Sequence, residues 1–138
     1  MRVLIKENDP LTARTLERQL EKLGHVSEWV ENARDLLENK TRLDPDVIIT
    51  DIFMPDVEGL ELIRMLKRGP LSNVPIIAVS GGGEYMGGIE NVEDSFVAKA
   101  AVTFGAETFL RKPIALKDLE KALNACLAQA PSAPDLNN

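Results

Sequence analysis

Cysteine and histidine are nearly absent from this chain of 138 residues, which carries one of each, Cys126 and His25. A lone cysteine forms no internal disulfide, and the pair offers no zinc-ligand spacing, so a disulfide framework and a Cys/His metal centre are both excluded. His25 reads as a structural or surface residue, Cys126 as a small core hydrophobe and the single tryptophan, Trp29, as a packing residue. Positive charge is in deficit: 16 Lys and Arg against 22 Asp and Glu give a formal net charge of -6. Such a field repels phosphate backbones and anionic membrane surfaces, so direct contact with nucleic acid or membrane is not expected. Long apolar runs are missing too. The longest, around residues 75–79, is far below the roughly 20 residues that span a bilayer, and the amino terminus MRVLIKEN lacks the apolar stretch of a signal peptide. A cytoplasmic location follows as the expectation. The run Gly81-Gly82-Gly83 is followed by no GK[ST] and lacks GxGxxG spacing, which disfavours a nucleotide-cradling loop.

What remains is an ordinary globular composition, 44% hydrophobic and 28% charged. A chain of this length makes one domain and hides roughly two-thirds of its unfolded surface, enough for a core without staples. One domain over residues 1–128 and a disordered tail over 129–138 are expected, with no internal repeat and no linker.

Periodicity supplies the elements. Val3-Leu4-Ile5 is a short apolar run ending in the polar stretch Glu7-Asn8-Asp9-Pro10, the signature of a strand entering a helix, with Asp9 as N-cap and Pro10 as first helical residue. Ala13, Leu16, Leu20 and Leu23 then form one helical face, closed by Gly24. Residues 26–30 suit a second strand and 33–39 a short helix with Leu36 and Leu37 inward. Val47-Ile48-Ile49-Thr50 is β-branched and reads as a strand buried on both faces, with Asp51 at its carboxyl end. Leu60, Ile63 and Leu66 mark a helix stopped by Gly69-Pro70, and residues 75–79 form another buried strand ending at Ser80. Phe96, Val97, Ala100, Ala101 and Phe104 make a helical face closed by Gly105. Thr108-Phe109-Leu110 is the fifth strand, and Leu116, Leu119, Leu123 and Leu127 line a last helix. Five strands alternating with five helices imply right-handed crossovers: an α/β, doubly wound, flavodoxin-like open parallel sheet in three layers, α/β/α.

In such sheets ligands bind outside the carboxyl ends of the strands, where strand order reverses. Glu7, Asn8 and Asp9 follow the first strand there, Asp51 the third, Ser80 the fourth and Lys112 the fifth. Clustered carboxylate and amide oxygens suit a hard cation such as Mg²⁺, while an ammonium and a hydroxyl suit an anionic oxygen beside it. A carboxylate can itself accept a phosphoryl group, with metal and lysine neutralising the charge that develops, and Asp51 is the best-placed acceptor. Each residue has a plainer reading: Asp51 as a turn cap, Ser80 as a turn former, Lys112 as a solvated charge, Glu7 and Asp9 as first-turn acids favouring the helix dipole. Their common rim favours the shared chemical role.

In this order the motifs VLIKENDP, VIITDIFMP, the glycine of DVEGLELI, IIAVSG and FLRKPI resemble the receiver domain of bacterial two-component response regulators, over residues 2 to about 128. The resemblance implies that Asp51 is the phosphoacceptor, that Ser80 bonds the phosphoryl group and that Lys112 bridges acceptor and phosphate. Pro113 would follow a cis peptide bond, and Glu7, Asn8, Asp51 and the backbone carbonyl of Phe53 would hold Mg²⁺. Phe109 stands where the family places an aromatic switch residue that moves with the hydroxyl residue, here Ser80. A histidine kinase, a histidine phosphotransfer protein or a small acyl phosphate would donate the phosphoryl group. A downstream protein effector would read the result through contacts of a monomer or a phosphorylation-dependent dimer. The domain would catalyse only its own modification and its reversal, and is not otherwise an enzyme.

The chain departs from the pattern in three places. Asn8 stands where the family has a second adjacent acid, which removes one negative charge beside the metal. The segment between Ser80 and Lys112 is about ten residues longer than the family's, its glycines suggesting a mobile loop over 81–91. Phe53 and Gly82, each two residues past a site residue, are expected to shift the phosphate lifetime in opposite directions, bulk obstructing water and glycine admitting it. Asn8 also supports a different reading, a degenerate receiver that acts as a phosphorylation-independent interaction module. A phosphatase-like hydrolase would want a second acid where Phe53 stands, and a flavodoxin-type electron carrier a hydroxyl-rich loop where Glu7 and Asn8 stand.

Overall fold

The computed structural model describes residues 1–52, 58–81 and 98–129. Five strands, β1 (Arg2–Lys6), β2 (Val26–Val30), β3 (Val47–Asp51), β4 (Ile76–Ser80) and β5 (Thr108–Arg111), make one sheet in the order β2-β1-β3-β4-β5. Every pairing is parallel. The helices are α1 (Pro10–Lys22), α2 (Ala33–Leu37), α3 (Glu58–Leu66), residues 98–104 of α4, and α5 (Leu116–Gln129). This is the doubly wound α/β architecture that the alternation predicts.

Side chains leave a strand alternately to its two faces, and the core divides accordingly. Val3, Ile5, Val47, Ile49, Ile77 and Val79 join Leu16 and Leu20 of α1 and Leu119, Leu123 and Cys126 of α5 in one buried cluster. Leu4, Ile48, Ile76 and Ala78 join Leu36 of α2, Leu62, Ile63 and Leu66 of α3 and Ala101 of α4 in the other. A sheet covered on both faces needs apolar residues at consecutive positions, which is why β3 and β4 read as continuous runs.

Local chemistry ends the elements as their residues dictate. Asp9 caps α1, its carboxylate accepting from the Leu11 amide at 3.3 Å and the Thr12 hydroxyl at 2.7 Å, with Pro10 in the first turn. Gly24, at φ +87°, turns the chain out of α1. The second helix stops at Leu37 rather than at residue 39, because Asn39 adopts φ +56°, a left-handed conformation that asparagine tolerates. In α5 the inner stripe runs Leu119, Ala122, Leu123 and Cys126, while Leu116 and Leu127, both expected inward, are 37% and 54% exposed. Ala122 and Cys126 complete the spacing of three and four from Leu119 and Leu123, so the stripe passes Leu127 by. Phe96, Val97 and the residues from 130 on lie outside the described residues, as does the glycine-rich segment from residue 82 that the sequence reads as a mobile loop.

Candidate functional site

The sheet order places β1 between β2 and β3, so the chain leaves β1 toward one edge and returns past it to build the other. The crevice where strand order reverses therefore lies between the carboxyl ends of β1 and β3. Glu7 follows the first of these strands and Asp51 ends the second.

Lys112, just past β5, reaches across and joins the two. Its Nζ lies 2.9 Å from Glu7 Oε1 and donates to Asp51 Oδ2 at 3.1 Å. Glu7 is 2% and Asp51 8% exposed, so these are largely desolvated charges held by one ammonium. Burial, followed by the nearby Asp51 charge, raises the Glu7 pKa above its ordinary value, against the opposing pull of Lys112. Burial lowers that of Lys112, but attraction to Asp51 and Glu7 outweighs it and leaves the ammonium with a raised pKa. The peptide bond between Lys112 and Pro113 is cis, and the Lys112 amide donates to the Ser80 carbonyl at 3.0 Å.

Ser80 is fully buried at the end of β4, next to Val79, the register partner of Asp51. Phe109 of β5 sits opposite Ala78 and packs, half-buried, against the cluster under α3 and α4. Phe53 and Gly82 lie outside the described residues. Asp9 stays at the mouth as the α1 cap, and its amide donates to Glu7 Oε2 at 3.1 Å.

Two residues join the site that sequence reasoning did not assign to it. The indole Nε1 of Trp29 donates to the Glu7 carbonyl at 2.8 Å, pinning the chain where it leaves β1. Lys6, only 5% exposed, donates from Nζ to Asn8 Oδ1 at 2.9 Å. Alternation in β1 gives Lys6 the same face as the core residue Leu4, so an inward lysine was readable from position; its turn toward Asn8 was not.

The family description of the response regulator receiver domain matches residues 3–124. This chain belongs to the response regulator receiver family. It is 37% identical over 136 residues to the KDP operon transcriptional regulatory protein KdpE of Escherichia coli K12, covering 96% of this chain and 55% of KdpE. Protein PilH of Pseudomonas aeruginosa is 32% identical over 128 residues, covering 92% of this chain and 98% of PilH. Among solved structures, the signal receiver domain of a signal transduction histidine kinase from Syntrophus aciditrophicus superposes with a TM-score of 0.74 at 27% identity, covering 97% of this chain and 95% of that one. The chain spans about half the length of several curated relatives. It is a receiver domain of the two-component type, a signalling module.

The family implies Mg²⁺ at the acidic rim, and the donors here partly match it. Glu7 and Asp51 present oxygen ligands of the kind a small hard cation takes, both already gathered around one positive charge. The Asn8 amide oxygen accepts from an ammonium instead. Among the described residues no group of three or more Asp, Glu, His or Cys converges as a cation cage. Glu7 and Asp51 therefore fit as a two-carboxylate holder, the number of acids that Mg²⁺ commonly takes beside its waters. No described helix is long and apolar enough to cross a membrane.

Proposed function

We propose that this protein is a phosphoacceptor switch of a two-component phosphorelay, modified on Asp51 with Mg²⁺ and read by protein contact. The observation that carries it is the sharing of one partly buried ammonium, Lys112, between Glu7 and Asp51 at the switch point of the sheet.

An Asp51 carboxylate oxygen attacks phosphorus in line with the leaving group, a kinase imidazole or the carboxylate of an acyl phosphate. Lys112 already touches that carboxylate and moves its positive charge onto the phosphoryl oxygens as they approach. Its raised pKa keeps it protonated for the purpose. The Ser80 hydroxyl, at the end of the neighbouring strand, donates to a phosphoryl oxygen and moves toward it; Phe109 follows into the space released. Glu7 and Asp51 would hold Mg²⁺, with Asn8 and the Phe53 carbonyl as the further ligands the family implies, and the bound cation would supply charge neutralisation in the transition state. Water resets the switch by attacking phosphorus of the aspartyl phosphate, which breaks its bond to the Asp51 oxygen and releases inorganic phosphate and the free carboxylate.

The partners are a histidine kinase or histidine phosphotransfer protein upstream and a protein effector downstream, in the cytoplasm, with the folded unit reaching the end of α5 at Gln129, one residue past the expected bound of 128. A net charge of -6 disfavours association with nucleic acid. Intact-mass spectrometry after incubation with acetyl phosphate tests the reading. A single phosphoryl adduct in wild type with Mg²⁺, absent with EDTA and absent in Asp51→Asn, is expected. No adduct with Mg²⁺ or with a panel of histidine kinases would overturn it in favour of a binding-only module.

A further inference from the structure

We propose that Lys6 is a built-in counter-cation that sets the Mg²⁺ affinity of this site, weakening it through its hold on Asn8. The inference rests on reading the rim as a Mg²⁺-dependent phosphoacceptor site, and concerns residues that this reading leaves unexplained.

The last residue of β1 lies on the sheet face that buries Leu4, where a hydrocarbon side chain would be at home. Lys6 is instead a lysine, 5% exposed, whose stem runs through the core side and whose ammonium emerges onto Asn8 Oδ1 at 2.9 Å. Asn8 is separated by one residue from Lys6 and adjoins Glu7, so this ammonium sits at the same strand end as the Glu7 carboxylate. Glu7, Asp51 and, at the mouth, Asp9 bring three negative charges to the rim and Lys6 and Lys112 two positive ones, so Lys6 leaves these five groups at -1 rather than -2 before any metal arrives.

Two consequences follow for a divalent cation. It meets a less negative cluster than the carboxylates alone would make, and a fixed positive charge close by in a poorly solvated place repels it directly. It also competes with Lys6 for an amide oxygen that already accepts a charge-assisted hydrogen bond. An asparagine at position 8 suits this arrangement, because a neutral oxygen accepts from the ammonium without forming a tight ion pair. An aspartate there would instead be neutralised by Lys6, so restoring the acid alone gives the metal little. Position 8 therefore acts on the metal through Lys6.

The test is direct Mg²⁺ titration of the unphosphorylated protein, followed by isothermal titration calorimetry and by the emission of Trp29, whose indole rests on the Glu7 carbonyl. Lys6→Met, which keeps the stem and removes the charge, is expected to lower the Mg²⁺ Kd about tenfold. Lys6→Gln, which keeps a donor for Asn8, tightens binding in the same direction and serves if the Met variant does not fold. Lys6→Arg retains the charge and leaves Kd within about twofold of wild type. Asn8→Asp gains several-fold more affinity in the Lys6→Met background than in wild type, a non-additivity that marks the two residues as coupled. Unchanged or weaker Mg²⁺ binding in folded Lys6→Met and Lys6→Gln, additive effects at positions 6 and 8, or no detectable binding in the double variant would each overturn the proposal. Because no phosphoryl donor is present, tighter Mg²⁺ binding without any acetyl phosphate adduct would retain the role of Lys6 and discard the phosphoacceptor reading. An adduct on Asp51 with a Kd indifferent to position 6 would do the reverse.

Discussion

At Glu7 two opposing effects meet on one carboxylate, and burial prevails: loss of solvent and the neighbouring Asp51 charge raise its pKa although Lys112 sits 2.9 Å away. A raised folded-state pKa means that the neutral acid suits the fold better than the anion. The associated stability is complete below the unfolded pKa and is lost as pH rises through the folded one. Glu7→Gln mimics the neutral acid, so in EDTA its melting temperature should match wild type near pH 4 and exceed it at pH 7. Thermal melts at the two pH values check this; a Gln variant less stable at pH 7 would mean that the Lys112 pair outweighs desolvation. The same geometry separates what a sequence can disclose from what it cannot. The positions of Glu7, Asp51, Ser80 and Lys112 were legible because each ends or directly follows a strand and parallel strands end on one rim. The bonds from Lys6 to Asn8 and from Trp29 to Glu7 were not, because each depends on the path of a long side chain across the sheet end.

At the scale of elements, the close approach of α3 to the end of β3 is the tightest fit near the site. A Cβ placed on Gly59 would lie 2.5 Å from the Cα and carbonyl oxygen of Ile52, the residue immediately after Asp51. Backbone cannot yield as a side-chain tip can, so Gly59→Ala must displace the helix start or the chain beyond Asp51. A loss of about 1–3 kcal/mol in unfolding free energy is expected, read as a lower urea midpoint at unchanged slope. Wild-type stability in this variant would show that the approach is looser than this packing implies. Helical stripes told the inner faces of α1 and α3 in advance, because apolar residues recur there at three- and four-residue spacing. In α5 the leucine pattern misled at Leu116 and Leu127, since alanine and cysteine share the inner positions with Leu119 and Leu123. Small core residues leave a fainter mark than large ones.

For the molecule as a whole, five parallel strands with helices on both faces bring residues from opposite ends of the chain to one crevice. Glu7 and Lys112 are far apart in sequence and 2.9 Å apart in space. The alternation of buried strands and amphipathic helices made the class legible, since a parallel sheet requires a crossover after each strand. Side-chain contacts at its rim required the folded chain. The central claim is that this crevice directs a phosphoryl group to Asp51, and chemical trapping tests it most directly. Protein incubated with acetyl phosphate and Mg²⁺ is treated with borohydride, which reduces an aspartyl phosphate to homoserine, and is then digested and sequenced by tandem mass spectrometry. Homoserine at position 51 and at no other acidic residue is the predicted result. Reduction at Glu7 or Asp9, or no reduced residue in protein that carries a phosphoryl adduct, would contradict it.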